Sequence, residues 1–255
     1  MENACVIGYG VVGQATAKLF GIKKYFDLKG STITLEEASK CKFVFICLPT
    51  EINQDGTYIT TDIEQIFRQI EDYGGAGIYI IRSTVWPGFA KHLSNNLGID
   101  RIVSNPEFLS EDTAERDTKH PPFVVLGGMP KYITEVQALY NGRIKAAEFI
   151  LTDNITAEMA KLALNGFFAT KVIYANEIYD GCRNLKANYE RVREVLERHP
   201  FGYRNHATIW YKGKRGVNGK CLPKDSKALG RYTGGELIKR VVELNEKYIY
   251  QKYED

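Results

Sequence analysis

Ala4-Cys5-Val6-Ile7-Gly8-Tyr9-Gly10-Val11-Val12-Gly13 is the stretch that decides the fold. Four apolar residues make a short strand. Gly8, Gly10 and Gly13 then give the pattern G-x-G-x-x-G, and helical spacing follows from Val11 to Phe20. Strand, glycine turn and helix in that order open a dinucleotide-binding βαβ unit. The first glycine permits the tight turn, the second lets a pyrophosphate approach the backbone, and the third lets helix pack on strand. The N–H groups at the helix start, Val11 and Val12 among them, offer a partial positive charge to phosphate. Asp27 lies 19 residues after Gly8, at the end of the next short apolar run, Lys24 to Asp27. A carboxylate there binds ribose hydroxyls and repels a 2′-phosphate. NAD is therefore favoured over NADP, a preference that Lys29 close by weakens.

Working outward, Phe43 to Leu48 and Gly77 to Ile81 are continuous apolar runs. Between them, apolar residues at 63, 66, 67 and 70 mark a helix over Asp62 to Ile70. Further strands are expected at Arg101 to Val103 and Phe123 to Gly127. Short apolar strands alternating with helices imply a parallel sheet covered on both faces. From Thr152 the pattern turns helical. Asp153 or Asn154 caps a long helix through Asn165 and beyond, and helical runs recur at Asn184 to Glu197 and Gly234 to Tyr250. Pro200 to Gly219 reads as a loop. The expected architecture is α/β: a Rossmann-type doubly wound parallel sheet over residues 1–151, followed by a mostly helical domain over 152–255.

Composition removes several classes. The chain has 255 residues, 44% hydrophobic and 25% charged, which excludes wholesale disorder and fibrous repeats. Lys plus Arg is 34 against 31 Asp plus Glu, and an excess of +3 is too small to argue for nucleic acid. The longest apolar stretches are far shorter than the ~20 residues of a membrane span. No basic region precedes the first apolar run, so no secretory signal is visible. Cys5, Cys41, Cys47, Cys182 and Cys221 are scattered, with no C-x-x-C pair. That gives no zinc ribbon, no expected metal site and no disulfide framework. A reducing, cytoplasmic compartment is the expectation.

Four further segments carry chemistry-bearing side chains: Arg82-Ser83-Thr84-Val85-Trp86-Pro87-Gly88, Asn105-Pro106-Glu107-Phe108-Leu109-Ser110-Glu111, the pair Lys161 and Asn165, and Gly219-Lys220-Cys221-Leu222-Pro223-Lys224-Asp225. Lys161 and Asn165 are four apart and share one helix face. Pro223 suits the first position of a helix, which places Cys221 just ahead of a helix N-terminus beside Lys220 and Lys224. Both features favour a nucleophilic thiolate. The other four cysteines fall in or beside strands or within a helix and read as structural. Each candidate has an ordinary alternative: Thr84 as a cap, Glu107 and Glu111 as a solvated face, Lys161 as a surface residue, Cys221 as a small buried one.

Taken together the segments resemble the UDP-glucose/GDP-mannose dehydrogenase family, the nucleotide-sugar 6-dehydrogenases. The resemblance rests on G-Y-G-V-V-G at 8–13, C-L-P-T at 47–50, R-S-T-V-W-P-G at 82–88 and N-P-E-F-L-S-E at 105–111. It continues through E-M-A-K-L-A-L-N at 158–165, A-N-E at 175–177 and C-L-P-K-D at 221–225. It implies oxidation of a sugar primary alcohol to a carboxylate in two NAD-dependent hydride transfers. Under it, Asp225 with Lys161 and a water assists removal of the alcohol proton. Cys221 captures the aldehyde as a thiohemiacetal and then carries a thioester. Lys161 and Asn165 stabilise oxyanions, and Glu107 acts as base in thioester hydrolysis with Thr84 orienting the water. Cofactor contacts implied by the resemblance extend to Pro49, Thr50, Ser83, Thr84, Glu111 and Lys224. Substrate contacts extend to Phe108, Leu109 and Gly219. It also implies a homodimer through the helical half.

The sequence departs from the family in places. Family members carry a second nucleotide-binding domain after the central helix, whereas this sequence ends at Asp255, so a short form without most of the UDP contacts is expected. Only eight residues separate Asp27 from Glu36, which opens the adenosine side of the nucleotide site. Asn218-Gly219 stands in place of a glycine pair, with Asn tolerating positive φ, and Phe123 replaces a basic residue. Two other readings stay open: a non-catalytic nucleotide-binding module that needs a separate sugar-binding chain, and a dehydrogenase of a smaller hydroxy acid.

Overall fold

Alternate residues of the central strands enter two different hydrophobic clusters, and this places helices on both sides of the sheet. In the computed structural model, which describes residues 1–108, 114–144, 148–200, 202–203, 205–211 and 213–251, β1 is Ala4–Ile7, β2 Lys24–Phe26 and β3 Phe43–Ile46. Cys5, Ile7, Val44 and Ile46 face one side, with Ile63 and Phe67 of α3 (Thr61–Asp72) and Phe89 and Leu93 of α4 (Phe89–Leu97). Ala4, Val6, Phe43 and Phe45 face the other, with Ala17 and Phe20 of α1 (Val11–Phe20) and Ile133 and Val136 of α6 (Pro130–Tyr140). A strand's period of two and a cover on both faces are the marks of a doubly wound sheet.

Among the described residues β4 (Glu51–Ile52) pairs only with β5 (Tyr58–Ile59), in a small hairpin the sequence does not foretell. The main sheet adds β6 (Ile78–Ile81), β7 (Ile102–Ser104), β8 (Phe123–Gly128) and β9 (Glu148–Thr152), in the order β2-β1-β3-β6-β7-β8-β9. The first five run parallel. β8 is antiparallel to β7, so the all-parallel expectation holds only in part, and β9 returns parallel to β8. β1 has β2 on one side and β3 on the other. The chain thus reverses direction across the sheet at β1, and the crevice beyond the carboxyl ends of β1 and β3 is the topological switch point where such sheets bind ligands. Short helices α2 (Leu35–Ser39) and α5 (Ala114–Lys119) complete this part. The capping box of Thr34 and Glu37 lets α2 start only a few residues after β2.

α7 (Asn154–Leu185) is 32 residues long. Asp153 caps it, accepting the Thr156 hydroxyl at 2.6 Å and the Thr156 N–H at 2.9 Å, and these two bonds, the hydroxyl's first, hold its carboxyl below the usual range. The chain divides into two compact units, residues 1–51 with 58–161 and residues 52–57 with 162–255, so the division falls inside α7. The second unit holds the rest of α7, α8 (Tyr189–Arg198), α9 (Leu222–Thr233) and α10 (Glu236–Tyr248). The helical run expected over Asn184 to Glu197 is broken: Lys186 has φ +56, and Asn188 caps α8 afresh. Gly234 ends α9 at φ +69, and Gly235 begins α10. One core of this unit gathers Ala169, Ile173, Val217, Val241 and Tyr248, and another gathers Ala175, Cys182, Tyr189 and Ile209.

Candidate active site

In the first unit the glycine turn is built as the sequence requires. Gly8 has φ +89, and a Cβ on it would lie 2.7 Å from the carbonyl oxygen of Cys47. A Cβ on Gly13 would collide with the carbonyl of Gly8, so helix and turn touch backbone to backbone. Gly10 differs: a Cβ there would meet nothing within 4 Å. Open space thus lies beside the first turn of α1, which has no side-chain cap and no acidic residue. That is the space a pyrophosphate needs, with helix amides to receive it. Asp27 accepts the N–H of Lys29 at 2.9 Å and of Tyr9 at 2.6 Å. These two amides, that of Lys29 first, hold its carboxyl below the usual range, so an anion is fixed beside the glycine turn. Tyr9 stacks on Tyr25 with ring centroids 3.8 Å apart. These residues fit NAD.

At the carboxyl ends of β3 and β6 the expected cofactor residues come together. The Thr50 hydroxyl donates to the Thr84 carbonyl at 2.7 Å, and the Ser83 hydroxyl to the Leu48 carbonyl at 2.7 Å. Pro49 lies between the two residues so tied. Next to them is a polar network that the sequence did not reveal. Buried Arg82 pairs with the Glu107 carboxylate and donates to Asn105 Oδ1 at 2.7 Å and to the Tyr140 hydroxyl at 3.1 Å. The Phe108 N–H closes on Glu107 Oε1 at 2.7 Å. Glu107 is thereby held in one orientation by a cation and an amide. The Lys161 ammonium lies 5.3 Å from the Phe108 ring centroid, and Phe108 meets Phe123 edge-on at 5.1 Å. Lys161 is only 9% exposed, against the ordinary expectation for a helix lysine. Phe123, where the family carries a basic residue, fills that place with a ring.

Glu158, one turn ahead of Lys161 on α7, is 3% exposed. Its carboxylate accepts the N–H of Gly88 at 2.6 Å and of Ala90 at 3.0 Å, and the Ser104 hydroxyl at 3.1 Å. It therefore binds together the turn that follows Thr84, the strand end before Glu107 and the helix that carries Lys161. Burial pushes its carboxyl up to about 7 despite those donors. Two features of the sequence mark these residues. Arg82 directly follows a fully apolar strand, and Glu158 precedes Lys161 by three positions on one helix face. Leu109 and Glu111, both expected in the site, lie outside the described residues.

The second unit holds the other candidates. Cys221 is exposed at the N-cap of α9, with Pro223 in the first turn as expected. The other four cysteines are buried, in keeping with a structural role, and burial pushes the Cys47 thiol up to about 11. Asp225, one turn into α9, is fully buried. It accepts from Asn165 Nδ2 at 2.6 Å and pairs with the Lys224 ammonium at 2.6 Å. Gly219 takes φ +86. Asn218 keeps a negative φ, contrary to expectation, and instead donates its amide to the carbonyls of Arg215 and Gly216. The candidate residues thus form two sets. Gly8 to Gly13, Asp27, Pro49, Thr50, Ser83, Thr84, Glu107, Phe108 and Lys161 belong to the first unit; Asn165, Gly219, Cys221, Lys224 and Asp225 belong to the second.

A switch-point crevice with a glycine turn and an anchored acidic residue defines the class of nucleotide-binding α/β proteins. Comparison with known proteins goes further. Residues 21–145 match the NAD binding domain of the UDP-glucose/GDP-mannose dehydrogenase family, and residues 155–247 match its central domain. The chain belongs to that family, and the cofactor of its first unit is NAD. The UDP-glucose 6-dehydrogenase of Rickettsia conorii is 27% identical over 233 residues, 86% of this chain and 52% of that protein. The GDP-mannose 6-dehydrogenase of Pseudomonas syringae is 31% identical over 225 residues, 82% and 50% respectively. The chain spans about half the length of these relatives. Among solved structures, a UDP-glucose dehydrogenase from Pyrobaculum islandicum superimposes with a TM-score of 0.83 at 23% identity, covering 97% of this chain and 68% of that one. The ternary complex of GDP-mannose dehydrogenase from Pseudomonas aeruginosa gives 0.68 at 22%, covering 97% and 69%. At such identities the likeness is one of fold. Among the described residues no helix is long and apolar enough to cross a membrane.

Proposed function

We propose that the chain oxidises the primary alcohol of a nucleotide-sugar to a carboxylate in two steps. The observation that carries this reading is in the second unit. One exposed thiol opens a helix, and a fully buried aspartate held by an asparagine follows one turn later, while the other four thiols are buried. NAD, when bound, accepts the hydride in each oxidation. Asp225, with Lys161 and a water, takes the hydroxyl proton as the alcohol carbon becomes an aldehyde. The Cys221 thiolate adds to that carbon, and Lys161 and Asn165 receive the oxyanion of the thiohemiacetal. Loss of the second hydride leaves a thioester on Cys221. Glu107 takes a proton from a water oriented by Thr84, the water attacks the thioester, and the carboxylate leaves as the thiol is restored. Glu107 suits this task because Arg82 and the Phe108 amide fix its carboxylate.

The test mixes the protein with NAD and UDP-glucose or GDP-mannose. Two NADH per sugar are expected, with a Cys221 thioester seen by mass spectrometry in Glu107→Gln. No NADH and no adduct with any nucleotide-sugar would count against the reading. In a second reading a separate chain supplies the sugar-binding part, since the residues matched here are those of the family's NAD binding and central domains. Turnover that appears only when such a chain is added would select it. Self-association through the helical unit belongs to the same proposal and is supported by exposed Phe167, Tyr174 and Leu237. Sedimentation showing monomer alone would reject it. A thiol nucleophile also suits a reducing, cytoplasmic compartment.

A further inference from the structure

The chemistry above gives no task to two buried polar side chains of the second unit, Arg215 and Asn245. Arg215 precedes Cys221 by six positions. It donates from Nε to Asn176 Oδ1 at 2.7 Å and from Nη2 to the Asn176 carbonyl at 2.9 Å. It pairs with Asp180 and reaches Gln251 through Nη1. Its guanidinium carbon lies 5.1 Å from the ring centroid of Tyr179 and 4.5 Å from that of Tyr248. Asn176 is the middle residue of Ala175-Asn176-Glu177, a motif the proposed function does not use.

Two residues on, Asn245 of α10 pairs with Val217 as a neighbouring strand would. Its Oδ1 accepts the Val217 N–H at 2.6 Å, and its Nδ2 donates to the Val217 carbonyl at 3.1 Å. Gly216 between them has φ +75, and a Cβ there would lie 2.6 Å from Asn245 Oδ1, so only glycine passes. Asn218 then closes the turn on the carbonyls of Arg215 and Gly216, at 3.0 and 2.9 Å. Residues 215–218 are thus fixed by partners on α7, on α10 and within the turn itself, and only Gly219 and Lys220 separate them from the thiol. A buried guanidinium is costly unless fully paired. A connection that only joins two helices can stay solvated on the surface. This one is tied down just before an exposed nucleophile.

We propose that Arg215, Asn218 and Asn245 are positioning residues for Cys221. They hold the 215–218 segment so that the thiol stays at the N-terminus of α9, where helix amides favour the thiolate. The proposal rests on the reading of Cys221 as a nucleophile, but its test needs neither NAD nor a sugar. Iodoacetamide alkylation of the full chain is followed across pH, with the labelled peptides measured by mass spectrometry. The four buried cysteines report whether the fold is intact. In Arg215→Met, Asn245→Ala and Asn218→Ala, the pH midpoint for Cys221 labelling is expected to rise. The rate near neutral pH should fall about tenfold for each pH unit of that rise. Tyr189→Phe removes a buried bond to the Ala207 carbonyl in the other core of this unit and should leave the midpoint in place. If Asn245→Ala unfolds and all five cysteines label, Asn218→Ala, at a half-buried position, decides the matter. An unchanged midpoint in folded Asn218→Ala and Arg215→Met would overturn the proposal, as would an equal shift in Tyr189→Phe. A shift without NADH formation would keep the positioning role and remove the dehydrogenase reading instead.

Discussion

Glu158→Gln gives the sharpest quantitative test of how the first unit is held together. Burial raises the Glu158 carboxyl from an ordinary 4.5 to about 7. The folded chain therefore keeps a proton that the unfolded chain gives up. Stability from this group is fully present below about pH 4.5 and is lost as pH rises through about 7. The shift is the difference between those two values. At 1.36 kcal/mol per pH unit it corresponds to roughly 3 kcal/mol, most of it released between about pH 5 and pH 8. Glutamine has the shape of the neutral acid and cannot ionise. It keeps one carbonyl acceptor for the amides of Gly88 and Ala90, so the variant is weaker by about 1–3 kcal/mol wherever the wild type is protonated. Its own stability should carry no Glu158 slope. Urea unfolding of both proteins, at matched pH values across that window, isolates the residue because all other titrating groups cancel in the difference. The wild type should lose about 2–3 kcal/mol relative to the variant on going from the acid to the alkaline end. Parallel stability curves would refute the reasoning, since they would mean that Glu158 is ionised in both states or in neither.

Gly8→Ala and Gly10→Ala should part company: the first forces a Cβ against Cys47 at positive φ and should lower the thermal midpoint, while the second meets nothing in the protein and should leave the midpoint intact yet abolish NAD binding by calorimetry. Asp27→Asn should weaken NAD binding about tenfold and narrow the preference over NADP, read by the same calorimetry, because it removes the charge that the Tyr9 and Lys29 amides hold in place. Arg82→Met should cost about 3–5 kcal/mol in urea unfolding, because it leaves the Glu107 carboxylate largely buried without its cation; a loss below about 1 kcal/mol would show that the pair is dispensable.

The sheet was legible because its signals are local. Each of β1, β3 and β6 is an unbroken apolar run, and Gly8 and Gly13 of the first turn are demanded by close backbone contacts, Gly13 with Gly8 and Gly8 with Cys47 just past the end of β3. β9 is an edge strand with an apolar run of only three residues, Phe149-Ile150-Leu151, and most of its residues are exposed, so neither alternation nor a long apolar run marks it. The hairpin of β4 and β5 is too short to leave a pattern. The break between α7 and α8 depends on one residue, Lys186, taking a left-handed conformation, and a lysine gives no local reason to expect it. Cys221, Asp225, Lys161 and Glu107 are marked as candidates by their motifs. Their partners are not, because the contacts join distant parts of the chain: Arg82 meets Asn105 across 23 residues and Tyr140 across 58.

Those partners follow a common physical pattern. Arg82 adjoins Ser83 and Thr84, Glu158 precedes Lys161 by one turn, and Arg215 begins the segment that leads to Cys221. All three are buried ionisable side chains, and each makes several hydrogen bonds rather than a single ion pair. Replacing such a group together with its polar partners by well-packed apolar residues of similar volume is often neutral or stabilising. What apolar packing cannot supply is orientation. A carboxylate that accepts two amides and a hydroxyl fixes three segments relative to one another, and a guanidinium with donors in a rigid fork fixes its neighbours in a plane. The reaction proposed above, which passes one carbon through alcohol, aldehyde, thiohemiacetal and thioester, would need the same few groups at each stage, so small displacements would be costly. The buried ionisable side chains are concentrated where that demand falls, which ties the stability of each unit to the geometry of the candidate residues it carries.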